Sequence, residues 1–175
     1  MDPSGDYEII HLTRSVLSSE TERAVQALLK QAFGDIDGDY YAGDNPERIM
    51  LLSSGGRLVG HFAAYVREVA LGGEELAIGL IGGVAIDVRF RSQGLSKRLL
   101  REAHAFFGER ALPFSVLFAC EPARYRSSGY RPMTNETRFI EGGQWKQFVY
   151  RGGMVAELGE RKWPDTLLDL RGRAV

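Results

Sequence analysis

The sequence predicts an α+β fold (three-layer α/β), with a mixed, mainly antiparallel sheet flanked by helices. Three observations carry this reading. Two stretches repeat apolar residues at helical spacing, Ala24 to Phe33 and Leu95 to Phe107. Several strand-like runs are joined at glycine pairs, the mark of hairpins. One continuous apolar run, Phe114 to Ala119, reads as a central strand covered on both faces. Strands then helices in this mixed order favour α+β over a regularly alternating architecture.

Taken in order, Glu8 to Leu12 reads as a first strand. Ser19-Glu20-Thr21-Glu22 reads as a capping box, with Ser19 as N-cap. Ala24, Leu28, Leu29, Ala32 and Phe33 form the apolar stripe of the helix that follows, and Gly34 ends it. Residues 35–47 make an acidic, aromatic loop with Asp35, Asp37, Asp39, Tyr40, Tyr41 and Asp44. Such a loop is ordinarily just solvated, but it would also attract a cationic substrate. Ile49 to Leu52, Leu58 to Val69 and Leu76 to Val88 read as strands joined at Gly55-Gly56 and Gly72-Gly73. Gly82-Gly83 falls inside the last of these, where glycine marks a bulge or a close approach by a ligand. Pro122 to Ser128 suggests a short helix ending at Gly129. Glu136 to Glu141 and Gln147 to Val155 read as two late strands around Gly142-Gly143. The tail from Trp163 to Val175 has no assignable pattern.

With 175 residues, the chain is expected to be one domain, 1–175, able to bury about 70% of its unfolded surface. The 22 basic and 23 acidic residues nearly cancel, which argues against a nucleic-acid partner. No apolar stretch reaches the length of a membrane span, and Met1 to Tyr7 lacks the pattern of a secretory signal. A single cysteine, Cys120, precludes an internal disulfide, so a cytoplasmic setting is expected. Cys120 itself reads as a small buried hydrophobe. His11, His61 and His104 have no partners at metal-ligand spacing, and no metal is expected. Fingerprints for dinucleotides, nucleotide phosphates and serine hydrolases are absent.

Chemistry concentrates between Val84 and Leu100. A strand there runs through a polar loop directly into a helix. The free N–H groups and dipole of a helix start favour an anion. Arg89, Arg91, Lys97 and Arg98 surround that point. Placed at a helix start they oppose the dipole, a conflict that a bound anion resolves. Phosphate recognition would also suit the bias toward arginine, 18 against 4 lysines, although a GC-rich genome explains it equally well.

Arg91-Ser92-Gln93-Gly94-Leu95-Ser96 resembles the acetyl-CoA signature [QR]-x-x-G-x-[GA] of the GNAT N-acetyltransferases, with Ser96 departing at the last position. Gly82-Gly83-Val84-Ala85-Ile86 is similar to that family's bulged fourth strand. Tyr125-Arg126-Ser127-Ser128-Gly129-Tyr130-Arg131-Pro132 looks like its later Y-x-x-x-G-[FY]-x-P segment. The order of the motifs fits over nearly the whole chain. Within the family the look is loosely nearest to the aminoglycoside 2′-N-acetyltransferases and the nodulation N-acyltransferases.

The resemblance implies the GNAT fold and acetyl transfer from acetyl-CoA to a primary amine of a small molecule. It implies that Val84, Ala85 and Ile86 line the pantetheine arm, and that Arg89, Arg91, Ser92, Gln93, Gly94, Leu95 and Ser96 hold the phosphates. A backbone N–H at Val84 or Ile86 would polarise the thioester. Tyr125 takes the family's general-acid position, and its ordinary pKa near 10 suits protonation of a departing thiolate. No base is assigned. Leu80, Ile81 and the two glycines stand where some members carry a glutamate; Glu68, Asp87 and Glu121 are candidates by rough proximity only, and a water chain or the C-terminal carboxylate would do as well. A longer acyl donor, or a non-catalytic acyl-CoA-binding module, would use the same motifs. A monomer or a homodimer is expected.

Overall fold

The computed structural model describes residues 6–35, 40–41 and 44–175. Among them are ten strands: β1 (Tyr7–Leu12), β2 (Arg48–Ser54), β3 (Arg57–Leu71), β4 (Glu74–Ile86), β5 (Phe114–Phe118), β6 (Arg131–Pro132), β7 (Glu136–Glu141), β8 (Gln144–Val149), β9 (Gly153–Glu157) and β10 (Leu168–Arg173). Two α-helices accompany them, α1 (Ser19–Phe33) and α2 (Leu95–Gly108). The residues group into two compact units, Met1–Tyr65 with Gly83–Leu100 and Val66–Gly82 with Arg101–Val175. β3, β4 and α2 each contribute residues to both.

In the first unit, β1 and β2 pair antiparallel from Tyr7↔Ser54 to Leu12↔Ile49. β2 pairs in turn with β3, also antiparallel, with a register shift at Leu52/Ser53. Ile49, Leu52, Val59, Phe62 and Leu29 of α1 are fully buried. Each such side chain contributes about 1.5–3 kcal/mol by leaving water. Gly60 lets the layers close up: a Cβ there would stand 2.9 Å from Ile86 Cδ1 and 3.3 Å from Leu99 Cδ1 of α2. The cap of α1 lies one residue earlier than the sequence suggests. Ser18, not Ser19, has the extended backbone of an N-cap, and its Oγ accepts the Thr21 N–H at 3.1 Å. The Ser19 frame offers Glu22 for a capping box, but the contact between Ser18 Oγ and the Thr21 N–H selects the earlier frame.

In the second unit the strand order is β6-β9-β5-β4-β3-β10-β7-β8. β4 and β5 run parallel, as do β10 and β7. β10 pairs antiparallel with β3, β5 and β6 with β9, and β7 with β8. The expected mixed, mainly antiparallel sheet is therefore present. β5 is interior, as its apolar run requires, with Phe114 to Leu117 buried. Phe107 of α2 lies directly over Gly79 of β4, where a Cβ would stand 2.5 Å from the ring.

Two readings of the late chain are corrected. Gln147 to Val155 is not one strand: β8 ends at Val149 and β9 starts at Gly153, with Arg151-Gly152 turning the chain. The tail is structured. Its β10 inserts between β3 and β7, and Leu168 and Leu170 are fully buried. Trp163 packs edge-on against Phe114, with centroids 4.9 Å apart, and its Nε1–H donates to Asn135 Oδ1 at 2.6 Å. β8 ends the strand order and leaves Trp145, Phe148 and Val149 exposed, with the Arg138 guanidinium over the Trp145 ring. No helix among the described residues is long and apolar enough to cross a membrane.

Candidate active site

The expected site residues fall in both units: Val84 to Ser96 in the first and Tyr125 in the second. In the first, β4 runs through Gly83, whose φ of +63° only glycine adopts at little cost. Space forbids a side chain there as well, since a Cβ would stand 2.7 Å from Tyr40 Oη and 3.0 Å from His61 Cε1. Beyond it, Val84 is half-buried, and Ala85 and Ile86 are buried.

Asp87 closes the strand and organises the loop. Its backbone N–H donates to Val59 O at 2.9 Å. Its buried carboxylate accepts the Arg89 backbone N–H at 3.0 Å and both prongs of the Arg89 guanidinium, at 3.0 and 2.6 Å. Arg57 approaches the same carboxylate at 3.5 Å. Asp87 is thus a loop anchor between two cations, which removes it from the candidates for a base. Glu121 is likewise occupied, by Arg124 at 2.7 Å.

From Arg91 to Gly94 the loop is exposed. Ser92 takes a φ of +63° and Gly94 a φ of +73° on the way into α2. Ser92 therefore holds a conformation that is uncommon outside glycine. Nothing lies within 4 Å of where a Gly94 Cβ would be, so the helix start opens onto free space. The first intrahelical bond runs from Arg98 N to Gly94 O at 3.1 Å, and the first turn holds no acidic residue. The N–H groups of Leu95, Ser96 and Lys97 have no intrahelical acceptor at such a terminus. Leu95 turns inward and is buried, while Ser96 is half-buried.

The cations around this opening are not equivalent. The fork of Arg89 is filled by Asp87. Arg91 is tethered through Nε to Ile86 O at 3.1 Å, which leaves its terminal nitrogens for other partners. Arg98 donates to Tyr7 O at 2.9 Å, while the Tyr7 hydroxyl donates to Gln93 Oε1 at 2.6 Å, so β1 braces the loop. Lys97 is exposed on the first turn.

In the second unit, Tyr125 sits on a short 3-10 helix, Pro122–Ser128, which Pro122 opens and Gly129 closes. Tyr125 is half-buried, and burial raises its pKa, with Cys120 and Glu121 adding to the rise and Arg124 opposing it. The hydroxyl therefore keeps its proton at neutral pH, the form a general acid needs. Its ring meets Tyr130 edge-on, with centroids 6.2 Å apart. Tyr130 is buried, and its hydroxyl lies 2.7 Å from Ser115 Oγ and 2.9 Å from His104 Nε2. Cys120 is exposed, contrary to the expectation of a buried hydrophobe. It follows the end of β5, where the chain leaves the sheet for the 3-10 helix.

Sequence reasoning passed over His61. It is fully buried on β3, with Nδ1 2.8 Å from Gly83 O and Nε2 2.6 Å from the Tyr41 hydroxyl. The available signal was a lone histidine in the apolar run Gly60-His61-Phe62-Ala63-Ala64, because a buried polar ring requires partners. Of the acidic loop, Asp35 pairs with Lys30 at 2.6 Å. Asp37 and Asp39, the residues expected to draw in a cationic substrate, lie outside the described residues. Among the described residues no three His, Cys, Asp or Glu side chains form a group that could hold a metal ion.

The sequence matches the acetyltransferase (GNAT) domain family over residues 13–133, more than half of the chain. The chain belongs to the GNAT acetyltransferase family. Solved structures agree with this GNAT assignment at the level of fold. A GNAT family N-acetyltransferase, YhbS, from Escherichia coli in complex with CoA is 19% identical, with a TM-score of 0.70 over 97% of this chain and 92% of that one. A GNAT family acetyltransferase from Brucella melitensis in complex with acetyl-CoA is 15% identical, with a TM-score of 0.61 over 92% and 94%. An aminoglycoside acetyltransferase, meta-AAC0020, from an uncultured soil metagenomic sample in complex with trehalose is 18% identical, with a TM-score of 0.57 over 70% and 86%. Of four longer matched structures this GNAT chain spans 32–33% of the length. No curated protein matches the sequence.

Proposed function

We propose that the protein transfers the acetyl group of acetyl-CoA to a primary amine of a small molecule by direct attack. The observation that carries this reading is the start of α2. It is open at Gly94, free of acidic residues in its first turn, and follows a strand bulged at Gly83. The backbone N–H groups of Ser92, Gln93, Gly94, Leu95 and Ser96 would hold the pyrophosphate, with Arg91 adding charge. Arg89 serves by bracing the loop on Asp87. Val84, Ala85 and Ile86 would lie along the pantetheine arm, and the Val84 N–H would polarise the thioester carbonyl. A preorganised donor of this kind is worth about 3–4 kcal/mol in acyl transfer.

The amine nitrogen attacks the carbonyl carbon, the C–N bond forms and the C–S bond breaks. Tyr125 gives its phenolic proton to the departing thiolate, and the amine's surplus proton passes to solvent. This reading takes 1–175 as one acetyltransferase domain in the cytoplasm, where acetyl-CoA is made and a lone thiol stays reduced. The test is thiol release from acetyl-CoA with a pooled panel of primary amines, alongside thermal unfolding with CoA and acetyl-CoA. Amine-dependent release and a rise in Tm are expected; about 100-fold ligand excess over Kd stabilises by about 2.7 kcal/mol. A Tm unmoved by CoA and by every acyl-CoA tried would overturn the reading.

A further inference from the structure

We infer that His61 is a positioning residue for acyl transfer, holding the Gly83 carbonyl so that the N–H of the same peptide unit, on Val84, points the other way as the donor to the acyl oxygen. The inference rests on the proposed acyl transfer and assigns a residue to its most demanding step.

One peptide plane sets the geometry. In a trans peptide the carbonyl oxygen and the amide hydrogen lie on opposite sides, so fixing one fixes the other. The described residues contain no cis peptide. Gly83 O lies 2.8 Å from His61 Nδ1. A carbonyl only accepts, so Nδ1 carries the proton. Nε2 is then the acceptor, and the Tyr41 hydroxyl donates to it at 2.6 Å. Tyr41 thus selects the tautomer that grips Gly83. Burial holds the His61 pKa down at about 4, so the ring is neutral and the tautomer has meaning.

The grip is also steric. Tyr40 and His61 occupy the space a Gly83 side chain would need, and the Tyr40 ring stands edge-on to His61 with centroids 6.1 Å apart. The bulge is thereby enclosed by aromatic rings and tied by one hydrogen bond. Charges near the device act on Tyr41: the Arg14 guanidinium lies 5.6 Å from the centre of its ring, and Arg14 and Glu22 oppose each other electrostatically. The bulge of β4 is therefore set from β3 and from the segment before β2.

The test reads the thioester directly and needs no acceptor. [1-13C]acetyl-CoA is bound to the full chain, and its carbonyl stretch is followed by difference infrared spectroscopy. In the wild type the band should fall below its position in free acetyl-CoA. In His61→Leu it should return most of the way. In His61→Asn, whose amide N–H can reach the same carbonyl, the shift should be kept. Tyr41→Phe should lose part of it and serves if His61→Leu does not fold. With an amine acceptor, kcat should drop about 100-fold in His61→Leu, the scale for a lost oxyanion donor, while KM for acetyl-CoA stays within about twofold. A wild-type band that does not shift would overturn the polarising bulge, and this inference with it. A shifted wild-type band that survives in both His61→Leu and Tyr41→Phe would overturn the inference alone.

Discussion

Each unit of the protein sets a histidine against a tyrosine hydroxyl, and the two pairs serve different ends. His61 is fully enclosed and uses both ring nitrogens, one on Tyr41 and one on a backbone carbonyl. His104 is only partly buried, and its Nε2 meets a hydroxyl that is itself shared with Ser115. The first pair fixes a peptide plane inside a strand. The second ties α2 and β5 to the residue following Gly129, and so steadies the short helix that carries Tyr125. The same two residue types thus define a backbone group in one place and support a side chain in the other. What separates the uses is the third partner, a carbonyl against a serine.

That difference can be tested from the largest effect downward. His61 is held neutral by burial, with its pKa lowered from 6.5 to about 4. The unfolded chain therefore binds a proton that the folded chain refuses between those values. The associated stability is present above pH 6.5 and is lost as pH falls toward 4, by about 3 kcal/mol at about 1.4 kcal/mol per unit. Urea unfolding from pH 7 to 4 should show this slope, and His61→Asn should flatten it. Burial lowers the His104 pKa too, so His104→Asn should flatten the slope less.

Next in size is Tyr125→Phe. It should lower kcat about 100-fold or more while acetyl-CoA binding, measured by calorimetry, is unchanged. Tyr130→Phe should do the reverse. It deprives the buried Ser115 hydroxyl and His104 of their partner, at a cost of about 1–3 kcal/mol in unfolding free energy, and kcat should stay within a few-fold. If the two phenylalanine variants behave alike, the division between acid and support is wrong. The smallest effect is expected at the exposed Lys97, where replacement by alanine should raise KM for acetyl-CoA only two- to fivefold, an effect that fades with salt.

What the sequence disclosed was whatever chemistry is local. Gly82-Gly83, the run from Asp87 to Ser96 and the segment around Tyr125 each carry their meaning within a dozen residues, and the structure has a bulge, an open helix start and a short helix there. Pairings that join distant residues were hidden. Nothing near His61 announces Tyr41, twenty positions away, or the carbonyl of Gly83, twenty-two away. Arg89 looked like a phosphate ligand because its charge is visible in sequence, whereas its engagement by Asp87 is a matter of geometry. β10 was illegible because its partners, β3 and β7, lie about a hundred and about thirty residues back. The pair Gly152-Gly153 carries the same signal as the other hairpin glycines, and it was passed over because the apolar residues on either side read as one strand.

The two tryptophans give the molecule an optical asymmetry. Trp163, buried against Phe114, and Trp145, exposed on β8 beneath Arg138, both belong to the unit of Val66–Gly82 and Arg101–Val175. Indole emission therefore watches that unit alone, with one blue-shifted emitter inside and one red-shifted emitter facing solvent. The unit that carries His61 and the start of α2 is dark at those wavelengths. A tryptophan introduced there would report on that unit as the difference from the emission of the two native indoles.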